Sequence, residues 1–105
     1  MKNLVVLCTT PSMELAKILA TTLVKEKLAA CVNIIPKMIS IYQWDDEICE
    51  DQELLLIIKT TEKKYPRLQS RILATHHYEV PEIIALPIGK GSPAYMEWIE
   101  QALAD

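Results

Sequence analysis

Polar and apolar positions alternate along this chain in a way that separates strand-like segments from helical ones. Leu4 to Thr9 is a continuous apolar run with β-branched residues, the pattern of a strand covered on both faces. Thr10-Pro11-Ser12 follows with helix-start chemistry, a hydroxyl cap and a proline tolerated in a first turn. Ala16, Leu19, Ala20 and Leu23 recur at helical spacing, which predicts a helix to about Lys27, and Ala29 and Ala30 are small where the chain turns back onto a sheet. Cys31 to Trp44, rich in Val, Ile and Tyr, and Glu47 to Thr61 read as two strands joined by a short turn at Asp45-Asp46. Pro36 cannot donate to a ladder, so it is expected at a bulge or a sheet edge.

The run Thr61 to Pro66 opens a second helix, with Pro66 near its first turn and Leu68, Ile72 and Thr75 or His76 facing inward. Glu82 to Ile88 is a fourth strand, Gly89 to Gly91 a loop, and Ser92-Pro93 the cap of a last helix. Tyr95, Trp98, Ile99 and Ala102 form one stripe on that helix. The order is βαββαβ plus a terminal helix in a single domain over residues 1–105. Crossover helices and a central hairpin predict an α+β, ferredoxin-like sandwich, with a mostly antiparallel sheet and helices on one face.

Two features predict that one copy is not enough. In Leu54-Leu55-Leu56-Ile57-Ile58 both alternating faces are apolar, so the side without helices needs a cover. A strand of about 14 residues spans about 45 Å against a usual length of about five to six. The hairpin therefore outruns its own domain and carries Ile39, Ile41, Tyr42, Trp44 and Ile48 towards its tip. A closed symmetric ring of identical copies is the simplest cover. Tyr42, Trp44, Ile48 and Trp98 are the expected interface residues, since aromatic sets at these spacings are more often interface core than ligand cleft.

Composition removes several classes of function. The net charge is -3 and Lys and Arg do not cluster, which argues against nucleic acid as partner. No apolar stretch approaches the roughly 20 residues of a membrane helix, and the first residues read as a strand rather than a signal peptide, so no membrane role is expected. Cys8, Cys31 and Cys49 are odd in number and widely spaced, which suits reduced thiols in a cytoplasm.

A joint set of segments resembles the CutA family of divalent-cation-tolerance proteins over essentially the whole chain. They are Val6 to Pro11, Lys27 to Pro36, Ser40 to Trp44, Lys59-Thr60-Thr61, Tyr78 to Ile88 and Tyr95 to Ile99. The resemblance implies a homotrimer in which long hairpins wrap neighbouring subunits. It also implies a cytoplasmic role in metal tolerance with copper or other divalent cations bound, and the leading reading is of a non-enzymatic protein. The chain departs from the family pattern twice. Asp46 stands where a hairpin glycine is usual, and His76-His77-Tyr78 replaces His-Pro-Tyr. Thr75 precedes the motif histidine where relatives carry another histidine, so a site of two adjacent histidines would shift by one residue.

The candidate metal set is Cys8, His76, His77 and Glu82. Cys8 ends the first strand, where ligand groups emerge, and the resemblance implies a copper ligand there; its bland role is a small buried hydrophobe. His76 and His77 end the second helix, where partial positive charge is favoured in any case. Glu82 starts the fourth strand and is equally suited to pairing with Lys59. Copper is the expected metal, with zinc as another divalent candidate. A different class of function is a trimeric signalling module whose inter-subunit clefts hold a small anion or metabolite, with Lys59, Tyr78 and Glu82 at the mouth. A hydrolase using His76 and Glu82 ranks last, because no nucleophile–base spacing supports it.

Overall fold

The structure, a computed structural model, describes residues 2–105. Its elements are β1 (Asn3–Thr10), α1 (Met13–Lys25), β2 (Cys31–Trp44), β3 (Glu47–Thr61), α2 (Tyr65–Thr75), β4 (Ile83–Pro87) and α3 (Pro93–Ala102). The strands form one sheet in the order β2-β3-β1-β4, and every adjacent pair is antiparallel. This is the βαββαβ order expected, and the α+β ferredoxin-like class holds.

Local chemistry accounts for the element ends. Ser12 caps α1, its hydroxyl oxygen accepting from the Leu15 N–H at 3.2 Å. Pro11 therefore lies just before the helix rather than in its first turn. Lys27 takes φ 57°, and the Leu28 N–H reaches back to the Leu23 carbonyl at 2.9 Å. That closing motif usually recruits glycine. Ser92 caps α3 in the same manner as Ser12, accepting from Tyr95.

Register assigns each strand residue to a face. Val6 and Cys8 of β1, Leu54, Leu56 and Ile58 of β3, and Val32 and Ile34 of β2 pack under α1 and α2 with Leu15, Leu19, Leu23, Leu68 and Ile72. Val5, Leu7, Thr9, Leu55, Ile57, Lys59, Ile84 and Leu86 share the opposite face. The expectation that all helices lie on one side is corrected here. Asn3, on that opposite face, donates from its side-chain amide to the Met96 carbonyl and to Glu100, both at 3.3 Å. α3 thus crosses the other face at the β1 start, burying Ile99 and leaving Tyr95 and Trp98 stacked on its outer side with ring centroids 5.5 Å apart.

The hairpin projects as the sequence predicts, and the long axis of the molecule reaches 44 Å. A register shift between Ile35 and Met38 places Pro36 at a bulge on the edge strand, with Lys37 at φ 62°. Trp44 pairs with Glu47 across a two-residue turn in which Asp45 and Asp46 hold φ 51° and 64°. Two positive φ values define the turn type that favours glycine at the second position. Asp46→Gly is accordingly expected to raise stability by about 0.5–1 kcal/mol in urea unfolding, with the same mass in solution.

Candidate functional site

The end of the sheet where β1 and β3 leave the core carries the chemistry. Thr9 of β1 and Glu53 of β3 emerge there on the face away from α1 and α2, beside the segment 76–82 that links α2 to β4. His76 is the residue at which α2 stops, its backbone already extended at φ -67° and ψ 146°. Its ring is buried. Nδ1 accepts from the Tyr78 N–H at 3.0 Å, and Nε2 lies 2.7 Å from the Thr9 carbonyl. A backbone N–H can only donate and a carbonyl can only accept, so the proton sits on Nε2. Both ring nitrogens are occupied by the protein itself.

Tyr78 continues the chain of contacts. Its ring packs on His76 with centroids 4.9 Å apart, and its hydroxyl donates to Glu53 Oε2 at 2.8 Å. Burial and that hydrogen bond push its phenol above its ordinary pKa. Tyr42 donates to Asp51 Oδ2 across the hairpin, and this contact above all raises its phenol to about 12. Between these elements lies a cleft of about 520 Å³, lined by Thr9, Ile41, Tyr42, Trp44, Glu53, Tyr78, Glu79 and Glu82 among others. Its lining includes three carboxylates and no Lys, Arg or His.

The residues singled out from sequence are separated by this geometry. Cys8 is fully buried in the core under the helices, and its thiol is raised from 9.0 to about 12, first by burial and then by the charges of Glu82 and Glu53. His76 is a strut between Thr9 and Tyr78. His77 and Glu82 are exposed, and Glu82 lines the cleft. Among the described residues, no group of three His, Cys, Asp or Glu side chains is placed to hold a metal ion. Lys59 is not at the cleft within one subunit: it pairs in register with Val5 and donates to the Asn33 side chain, about 20 Å along β3 from Glu53. It also makes no ion pair with Glu82. Tyr42, Trp44, Ile48 and Trp98 remain exposed on a single copy.

A second, shallower groove of about 320 Å³ lies beside α2, lined by Glu26, Arg67 and Arg71. Arg71 is held by both carboxylate oxygens of Glu26, and that hydrogen-bonded pairing keeps the Glu26 carboxyl below its usual range. Glu53 lines the cleft but is not among the residues singled out from sequence. The available signal was its parity: it falls in phase with Leu55 and Ile57, so it points to the uncovered face instead of to solvent.

A long-hairpin ferredoxin-like sheet with an acidic, aromatic cleft at its end defines the class of protein. Residues 4–102 match the family described as CutA1 divalent ion tolerance protein. The divalent-cation tolerance protein CutA of Thermus thermophilus is 54% identical over 97 residues, covering 92% of this chain and 94% of that protein. A solved structure of the T. thermophilus protein superposes with a TM-score of 0.95 at 51% identity, covering 97% of this chain and 99% of that one. The chloroplastic CutA of Arabidopsis thaliana is 47% identical over 100 residues, covering 95% of this chain but only 55% of its own length. The crystal structure of CutA1 from Oryza sativa gives a TM-score of 0.96 at 44% identity, covering 100% of this chain and 96% of that one. This chain belongs to the CutA divalent-ion-tolerance family.

Proposed function

We propose that the chain acts in divalent-cation tolerance as a cytoplasmic, non-enzymatic homotrimer that binds copper or other divalent ions, zinc included, at the carboxylate-bearing end of its sheet. The observation that carries this reading is the cleft itself, where Glu53, Glu79 and Glu82 meet no basic side chain. Uncompensated carboxylates attract cations and repel anions, which disfavours the anion-sensing alternative at this position. Self-assembly is supported by the apolar surface a single copy leaves open. Ile41 is 67% exposed and Ile48 75%, while Ile84 and Leu86 are each 47% exposed on the sheet face beside α3. Cysteines that are all free support a reducing compartment. The chloroplastic label of the Arabidopsis relative belongs to that protein.

Of the donors foreseen, His77 and Glu82 are accessible without disturbing the fold, whereas Cys8 and His76 are committed to core and strut. An ion at the mouth of one subunit would meet few protein donors and keep several waters, so tight binding calls for a neighbouring copy. The test is calorimetric titration of the reduced, metal-stripped protein with Zn(II), Cu(II) and, under ascorbate, Cu(I), with mass followed by light scattering. Near-stoichiometric binding to a trimer, weakened about tenfold or more by His77→Ala and Glu82→Gln, is the expected result. A monomer, or binding that neither substitution changes, would remove this reading.

A further inference from the structure

Apolar contact anchors α3 only weakly. Of its ten residues Ile99 alone is buried, whereas α1 buries Leu15, Ala16, Leu19 and Leu23. A helix of this length does not persist by itself in water, so its docking depends on what the rest of the protein offers it. Asn3 holds its middle, through the Met96 carbonyl and Glu100. Its far end is held by the residues that follow it. Leu103 is buried, Lys27 Nζ donates to the Ala104 carbonyl at 3.4 Å, and Lys64 Nζ meets Asp105 Oδ1 at 2.7 Å.

Lys64 is the decisive residue. Its side chain is only 3% exposed, and it stands at the N-cap of α2, the end of a helix where a cation is disfavoured. The first turn of α2 carries no acidic residue to offset it. A buried ammonium is costly without a counter-charge, and among the described residues its ion-pair partner is Asp105, itself 62% exposed. Lys64, with Lys63 and Arg67 behind it, holds the Asp105 carboxyl below its usual range. We infer that α3 is a strap across the open sheet face and that the Lys64–Asp105 pair is the clasp that closes it. With the clasp open, Lys64 draws water into the junction between α2 and the end of α3, and the strap keeps only Ile99 and the Asn3 contacts. Tyr95 and Trp98 ride on the outer side of this helix, so closure also fixes the surface that it presents. The inference does not rest on the metal reading, since neither Lys64 nor Asp105 lines the cleft.

The experiment is amide hydrogen exchange on the assembled protein at neutral pH, followed over α3 with α1 as the internal reference. Light scattering checks that each variant keeps its mass. Asp105→Asn is expected to speed exchange in α3 about tenfold or more while leaving α1 unchanged. Asp105→Glu should recover part of the protection. Lys64→Met keeps an apolar stem and removes the charge, so it should fold with α3 closed, and adding Asp105→Asn to it should change nothing further. Unchanged α3 exchange in Asp105→Asn overturns the inference, as it would if a neighbouring subunit held the helix in place. Equal acceleration of α1 and α3 overturns it too, because α3 would then not open as a unit of its own. So does an effect of Asp105→Asn that persists in full beside Lys64→Met.

Discussion

His76→Ala is expected to lower the unfolding free energy by about 2–4 kcal/mol, measured by urea denaturation at fixed protein concentration. The ring holds two backbone groups: the Thr9 carbonyl, which the Cys8 thiol also approaches at 3.8 Å, on Nε2 and the Tyr78 N–H on Nδ1. Alanine removes both bonds, at about 1–3 kcal/mol for a group left unsatisfied away from water, partly relieved by water entering. It also removes the surface on which Tyr78 packs, and so loosens the hydroxyl that meets Glu53. Glutamine carries one donor and one acceptor at the end of its side chain, so His76→Gln should recover part of the loss. A metal ligand would behave in the opposite way. Stability unchanged in His76→Ala, with copper affinity reduced, would make the ring a ligand and not a strut.

The hairpin shows how far sequence pattern reaches. Both of its strands and the Asp45-Asp46 turn are placed correctly because alternation is interrupted there by two acidic residues and resumes after them. The bulge at Pro36 follows from a missing N–H, a property no context alters. Leu15 was missed in α1 because Ala16 and Leu19 already satisfy the helical spacing, and periodicity does not fix how wide an apolar face becomes. The side taken by α3 was illegible for a different reason. Its stripe of Tyr95, Trp98 and Ile99 is compatible with either sheet face, and the choice is made by Asn3 and by where the chain returns after β4.

The site was less legible than the fold. Sequence marks residues with ligand chemistry, and Cys8, His76, His77 and Glu82 are such residues. It does not say which of them point to the same place. Cys8 and Thr9 are neighbours whose side chains point to opposite faces, so one residue in register decides between core and cleft. Glu53 is one of several acidic residues along β3, and its depth depends on Tyr78, which lies 25 positions away along the chain. Lys59 shares the parity of Glu53, yet lies at the other end of the strand and is occupied by Asn33.

Cys8 yields the second large effect, in alkali. Its thiol is pushed from 9.0 to about 12, first because the core excludes the charge and then because Glu82 and Glu53 repel it. In the unfolded chain the thiol loses its proton at about pH 9, while the folded protein retains it. Above pH 9 the unfolded state therefore binds fewer protons, and stability falls as pH rises towards 12. Below pH 9 the contribution is fully present. A displacement of this size corresponds to about 4 kcal/mol across the window. Tyr42 and Tyr78 are raised as well and act with the same sign, but from an ordinary value of 10.0, so the first part of the fall belongs to Cys8. Cys8→Ala should be less stable at neutral pH, by about 1 kcal/mol for the small cavity it leaves, and should show a shallower decline between pH 9 and 10. The same burial is expected to slow alkylation of the folded protein's Cys8 by iodoacetamide about a thousandfold, because so little thiolate exists. Cys49, half-buried near the hairpin tip, is followed beside it as the more accessible cysteine. Soft-metal ligation by Cys8 requires that same thiolate, so it must overcome the same core and the same two carboxylates. Equal alkylation of Cys8 and Cys49 at neutral pH would mean that the strand end opens readily, and that opening would return Cys8 to the metal site from which its burial now separates it.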